Sequence, residues 1–346
     1  MKKIIKFFVS CLLFSLLFLM LLNQLTDVLI PKSQNRYYIL EKFLDEHPEQ
    51  TQYDVQVFGS CHSYTSFDPI YLEKEAGIRS FVYGNAGEII PTTYLRMAEQ
   101  FKKHVPKVAL VEIWGINPYE TYDSPDNIFG NYLSANLERI KFSCEKQEVI
   151  RDFDYIELDD GQTISGKIDF LKTNFPIIIY KDRLLDGSLT DVDVDYSFEG
   201  TEPFNSGWLF DEMSLRLSNN GFKRNPSTPI PDYPKLQAKV GNEESTAIEE
   251  DIVKYLYKII EMCKENEVTL IFYRSPYIST ENELKKINTM QQICEEQDIL
   301  FFDLEKEIEY DYTVDFNDYE HLSENGADKS TEFLIPYILQ ALSTET

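Results

Sequence analysis

Basic side chains are scarce. The 346 residues hold 33 Lys and Arg against 59 Asp and Glu, a formal charge of −26 at pH 7. Lys2, Lys3 and Lys6 all precede the first acid, Asp27, so the remainder is more acidic still. Such a surface repels the phosphates of nucleic acid and anionic lipid headgroups, which excludes nucleic acid as a partner. Cysteine is sparse too. Cys11, Cys61, Cys144, Cys263 and Cys294 show neither metal-ligand spacing nor a dense disulfide pattern. The sequence therefore calls for no metal and no organic cofactor. Histidine occurs only at 47, 62, 104 and 321. No internal repeat and no low-complexity segment is present.

One long apolar run stands out. Residues 7–26 carry no charge and are long enough to cross a bilayer as a helix. Three lysines precede them, which keeps the N-terminus cytoplasmic and puts the bulk outside. No small-x-small cleavage site follows the apolar core, and no Cys stands just after it for lipid attachment. An uncleaved single-pass anchor at 1–26 is expected, followed by a stalk at 27–51.

Beyond the stalk, apolar runs alternate with helical patterns. "YDVQVFG" (53–59), "IRSFVYGNAG" (78–87), "KVALVEIWG" (107–115), "VTLIFYRSP" (268–276) and "ILFFDL" (299–304) read as strands. Their nearly unbroken apolar character suits a parallel sheet covered on both faces. Helices are expected at 68–77, closed by Gly77, at 92–106, from a Ser245/Thr246 cap to 267, at 281–297 and at 324–342. Five alternations argue for an α/β domain over 52–346, three-layered α/β/α around a doubly wound, five-stranded parallel sheet.

Residues 119–245 break the pattern. They are rich in Asp, Asn, Gly, Pro and aromatics and form a large insertion, a lid or specificity region. Asp191, Asp193 and Asp195 alternate with valine, which is an acidic edge and not the ligand spacing of a calcium loop. Most of the 22 Tyr and 23 Phe belong to core and sheet packing. Cys263 and Cys294 fall on apolar helix positions and are core residues.

In open α/β sheets ligands bind beyond the carboxyl ends of the strands. Four segments fall there: Gly59-Ser60-Cys61-His62; Gly84-Asn85 with Gly87; Gly115-Ile116-Asn117-Pro118; and "DFNDYEHLSENGA" before the last helix. In the last, Asp318 and His321 form D-x-x-H. The carboxylate could orient the imidazole as base for a nucleophile from another loop. Alternatively Asp315, Asp318 and Ser323 are competing helix caps and His321 is an ordinary surface residue. His62 either joins the chemistry or merely caps and packs its turn.

Taken in order, these segments resemble the SGNH (GDSL) hydrolase and acyltransferase superfamily. Gly59-Ser60-Cys61 stands where that family has Gly-Asp-Ser or Gly-Ser-Ser. Gly84 or Asn85 corresponds to the second block, Gly115–Pro118 to the third, and Asp318 with His321 to the acid and base. The resemblance implies a flavodoxin-like SGNH fold. It implies Cys61 as nucleophile in place of serine, His321 as base, Asp318 as its support, and Gly84, Asn85 and Asn117 as oxyanion or substrate contacts. Ser60, His62 and Asp315 are second choices; strand register favours Cys61 over Ser60, which would hold the turn. The third block has Pro118 where the family has Asp.

Anchored, outward-facing relatives of this kind include DltD-like proteins and partners of polysaccharide O-acetylation. They imply acetyl or D-alanyl transfer or ester hydrolysis on a cell-envelope glycan or teichoic acid, with a membrane-bound acyl exporter as partner. The alternatives are a non-catalytic glycan-binding or scaffold protein on the same fold, and a redox role for Cys61 with Cys144.

Overall fold

A computed structural model describes residues 2–29, 53–117, 142–153 and 227–343, with shorter pieces between 133 and 182 and at 216–223. The stalk at 30–52, the Asp191–Asp195 run and most of the insertion lie outside the described residues.

The N-terminal helix α1 (Lys2–Leu29) contains a span, Lys2–Leu22, long and apolar enough to cross a membrane. At 1.5 Å per residue that span measures about 32 Å, the thickness of a hydrocarbon core. Its side chains, Phe7 and Leu17 among them, are exposed and take no part in the core.

The domain is α/β. Strands β1 (Val55–Phe58), β2 (Ser80–Val82), β3 (Val108–Glu112), β4 (Thr269–Arg274) and β5 (Leu300–Asp303) form one sheet in the order β2-β1-β3-β4-β5. Every pairing is parallel, with Val57 opposite Val82 and Leu110, and Leu110 opposite Ile271. The chain leaves β1 for one edge and returns to place β3 on β1's other side. The strand order therefore reverses between β1 and β3, at the end of the sheet where Gly59 and Ile113 emerge. β1, β2 and β3 are buried along their whole length, which requires cover on both faces.

Two groups of helices supply that cover. Helix α4 (Ile90–Lys103) packs on α5 (Cys144–Asp152) and α7 (Glu250–Glu265). Helices α2 (Cys61–Ser66) and α3 (Pro69–Ala76) pack on α10 (Glu324–Ser343). Helix α6 (Tyr233–Leu236), α8 (Glu281–Gln297) and α9 (Leu304–Glu307) complete the set used below.

Local chemistry explains the helix ends. Asp68 Oδ1 accepts from the Ile70 and Tyr71 amides, Pro69 opens α3, and Gly77 closes it at φ +70°. Thr280 and Glu283 form a reciprocal capping box on α8. Helix α7 starts at Glu250, four residues beyond the expected Ser245/Thr246 cap. The reason lies in tertiary bonds. Asn288 donates to the Gly241 and Glu244 carbonyls, and Thr289 to the Thr246 carbonyl, which ties 241–246 to α8 in a non-helical path. Cys263 and Cys294 are core residues.

Candidate active site

The first segment is a strand-to-helix corner. Gly59 sits at φ +128°, a backbone conformation closed to side chains, and a Cβ there would lie 2.8 Å from the Glu112 carbonyl oxygen. The corner thus runs tight against β3. A Cβ at Gly84 would overlap Ser63 Oγ, so β2's exit presses on the same corner. Ser60 caps α2: its Oγ accepts from the His62 amide at 3.2 Å and donates to Glu112 Oε2 at 3.0 Å. The hydroxyl is fully buried. Cys61, the next residue, is only partly buried.

Glu112 ends β3 inside the protein. Its second oxygen, Oε1, accepts from the Trp114 amide at 3.0 Å. Burial raises the carboxyl to about 7, against the bonds from Trp114 and Ser60.

The last segment is pinched by an antiparallel bridge between Phe316 and Leu322. Inside it the Asn317 amide donates to the His321 carbonyl at 2.8 Å, and Asp318 Oδ1 accepts from the Glu320 and His321 amides at 2.8 and 2.9 Å. A small second core lies beneath: Ile230, Tyr233, Tyr310, Phe316 and Leu322. Part of that support comes from the end of the insertion. The Thr228 and Ile230 amides donate to the Phe316 and Tyr312 carbonyls at 2.8 and 2.7 Å.

These two segments meet. His321 Nδ1 lies 3.0 Å from both oxygens of Asp318, and its Nε2 lies 3.3 Å from Cys61 Sγ. Burial opposes charge on His321, but the Cys61 sulfur and the Asp318 carboxylate outweigh it and hold the imidazole well above its ordinary pKa. For Asp318, burial is likewise outweighed, by His321 and the two amides, and its pKa is lowered. The arrangement can take a proton from sulfur at one ring nitrogen while the other is held by a carboxylate.

His62 turns inward from the same corner. It is fully buried, with ring-centroid distances of 5.5 Å to Trp114, 5.0 Å to Tyr277 and 5.1 Å to His321. Burial, then the charges of His321 and Arg274, push its pKa well below the usual histidine value. Neither ring nitrogen has a hydrogen-bond partner among the described residues. Although no spacing in the sequence suggests ligands, one ligand atom each from Cys61, His62 and His321 lie within 4.8 Å of one another.

The other expected residues are placed differently. Asn117 is buried and reaches the group through Tyr277, whose hydroxyl accepts from Asn117 Nδ2 at 3.4 Å. Asn85 donates from its side-chain amide to Asn136 and from its backbone to the Gly59 carbonyl. Asp315 is tied elsewhere: its Oδ2 accepts from Lys329 at 2.6 Å and from the Asp311 amide at 2.7 Å. Ser323 does the capping, accepting from the Gly326 amide at 3.4 Å. Cys61 and Cys144 are both free.

Sequence reasoning passed over Glu112, Trp114, Tyr277 and Arg274. Arg274 is buried at the end of β4. It pairs with Asp303 at 2.8 Å and Glu305 at 2.6 Å, and its guanidinium lies 4.9 Å from the Tyr277 ring centroid. It thereby fixes the loop that lays Tyr277 on His62. The available signal was a charge ending an apolar strand, in "VALVE" and "LIFYR". Comparison of the chain with protein-family models and with curated proteins finds no match.

Proposed function

We propose that this chain is a membrane-anchored, extracytoplasmic acyl-transfer enzyme of SGNH type, working through Cys61, His321 and Asp318. One observation carries the reading: the continuous line from Asp318 to His321 Nδ1 at 3.0 Å and from Nε2 to Cys61 Sγ at 3.3 Å. Three others support it. The strand order matches the flavodoxin-like arrangement that such a fold requires. The cysteine stands at the corner beyond β1, beside the reversal in strand order. Ser60 is turned into the protein, so the thiol is the open nucleophile of the pair.

In the first half-reaction His321 Nε2 takes the Cys61 proton and Sγ attacks the donor's carbonyl carbon. The donor's C–O bond breaks, its alkoxide takes the proton back from His321, and an acyl thioester remains. In the second half a hydroxyl of an envelope glycan or teichoic acid, or water, gives its proton to His321 and attacks the thioester, freeing Sγ. Asn117 is the proposed oxyanion donor, exchanging its long bond to Tyr277 for the substrate oxygen. A membrane-bound acyl exporter is the proposed supplier of the acetyl or D-alanyl group. Helix α1 is proposed to remain as an uncleaved anchor.

The test is the intact mass of the full chain in detergent, with Cys11→Ala and Cys144→Ala in the wild-type background and in every variant, after exposure to an activated acetyl ester. Wild type should gain one acetyl group. Cys61→Ala should gain none, and His321→Ala should acylate about 10²–10⁴-fold more slowly. Folded wild type that stays unmodified, or an adduct that survives Cys61→Ala, overturns the mechanism.

A further inference from the structure

We propose that Cys61, His62 and His321 form a binding site for a thiophilic divalent ion of the zinc class, separate in chemistry from the acyl transfer proposed above. The first observation is the cluster itself. One ligand atom from each residue falls within 4.8 Å of the other two. A tetrahedral zinc site with one sulfur and two nitrogens spaces those atoms about 3.3–3.6 Å apart. The His321 Nε2–Cys61 Sγ distance, 3.3 Å, is already there. Closing the rest takes at most about 1.5 Å of side-chain movement from the 4.8 Å limit.

The second observation is independent of the first. His62 is fully buried, yet both ring nitrogens lack a hydrogen-bond partner among the described residues. Buried polar groups without partners are rare and costly, and each calls for an explanation. A ligand bond to an ion supplies one. The triad does not, because its proton path runs from Sγ to Nε2 of His321 without touching His62.

The surroundings suit an ion as well. Asp318 holds His321 Nδ1 at 3.0 Å, so Nε2 is the nitrogen left to coordinate, the carboxylate–histidine–metal pattern that orients ligands and raises their basicity. Trp114 and Tyr277 pack against the His62 ring. One thiolate and two imidazoles select zinc and copper over magnesium or calcium. Three protein ligands leave the fourth position to water or a bound molecule. Coordination replaces the S–H bond by a metal–sulfur bond and releases that proton to solvent. The bound sulfur is then unavailable for attack, so the ion competes with acylation at Cys61.

The experiment uses the full chain in detergent, without a histidine tag, carrying Cys11→Ala and Cys144→Ala. That leaves Cys61 as the accessible thiol, since Cys263 and Cys294 are buried. Cobalt(II) reports thiolate ligation by its charge-transfer absorption, and zinc is then titrated against it. The expected result is one cobalt per chain, displaced by zinc. The absorption should vanish in Cys61→Ser, and affinity should fall at least tenfold in His62→Phe, which keeps the ring stack, and in His62→Gln. Zinc should also slow alkylation of Cys61 by iodoacetamide in the parent protein and not in the His62 variants. Circular dichroism establishes that each variant is folded. No thiolate absorption with cobalt, or equal affinity in folded His62 variants, overturns the site. Metal uptake without acetylation in the metal-free protein retires the acyl-transfer reading alone. Acetylation without uptake retires this site alone.

Discussion

The Ser60 hydroxyl donates to Glu112 Oε2 at 3.0 Å while the Trp114 amide donates to Oε1 at 3.0 Å, so one buried carboxyl joins the corner after β1 to the turn after β3. The first turn carries Cys61 and the second leads to Asn117. Glu112 is thus the internal strut between the proposed nucleophile and the proposed oxyanion donor.

That strut predicts a pH dependence. Burial raises Glu112 to about 7, above the value near 4.5 of an unfolded glutamate. The folded chain then binds more protons than the unfolded one between those values. The contribution is fully present below about pH 4.5 and is lost as pH rises through about 7. Its size is about 3 kcal/mol. Urea unfolding at pH 5 and pH 8 should show wild type losing stability relative to Glu112→Gln by about that amount. Parallel pH profiles for the two proteins would remove Glu112 as the titrating group.

His321 titrates with the opposite partner logic. Its raised pKa depends on Cys61 and Asp318 acting against burial. Asp318→Asn should therefore lower it, and Cys61→Ala should lower it too. NMR titration of the His321 ring proton reads both shifts directly. The ion pair's stabilisation is present below the ordinary histidine value of about 6.5 and is lost as pH rises through the raised one. An unchanged His321 titration in Asp318→Asn would break the proposed acid–base link.

Gly59→Ala should be costly. The substitution forces a side chain into φ +128° and against the Glu112 carbonyl. Strain and overpacking together predict a loss of about 3 kcal/mol or more. Thermal unfolding measures it, and a melting temperature within a degree or two of wild type would contradict the geometry.

Removing Arg274 takes a buried cation from two carboxylates, leaving Asp303 with Lys306 at 3.4 Å and Glu305 with Gln237 at 2.7 Å. Arg274→Met leaves Asp303 and Glu305 without the cation at 2.8 and 2.6 Å, and about 3–5 kcal/mol is the expected penalty. Denaturant unfolding of the single variant and of Arg274→Met with Asp303→Asn tests this. The second change should return part of the loss, and an additive further loss would contradict the pairing.

The anchor is tested at the N-terminus. An epitope placed before Lys2 should remain on the chain and resist alkaline extraction from membranes. Release of a shortened chain would replace the proposed anchor by a cleaved leader.

The five sheet strands were legible because their residues are apolar almost without interruption, as in Val108–Val111. Asp68, Pro69 and Gly77 marked α3 for the same local reasons that cap it. Helix α2 was not legible. Its residues, Cys61 to Ser66, include no aliphatic side chain to set a period, and its burial comes from α10, more than 250 residues later in the chain. The proximity of Cys61, His321 and Asp318 was suggested by the resemblance of their segments, taken in order, to the SGNH superfamily, but the inward turn of His62 was not. Only the meeting of Trp114, Tyr277 and His321 around it decides that burial, and no local pattern encodes such a meeting. Glu112 and Arg274 read as ordinary polar ends of strands until their partners are seen.

Cys61 and His321 are 260 residues apart in the chain, yet only 3.3 Å apart in space. Because synthesis runs from the N-terminus, the thiol leaves the ribosome long before its base. Until the loop carrying His321 is made, the cysteine lacks the imidazole proposed to activate it. Under the proposed mechanism a chain stopped before that loop carries the thiol without its proposed base, so acylation at Cys61 would report that the loop has been made and folded against the corner.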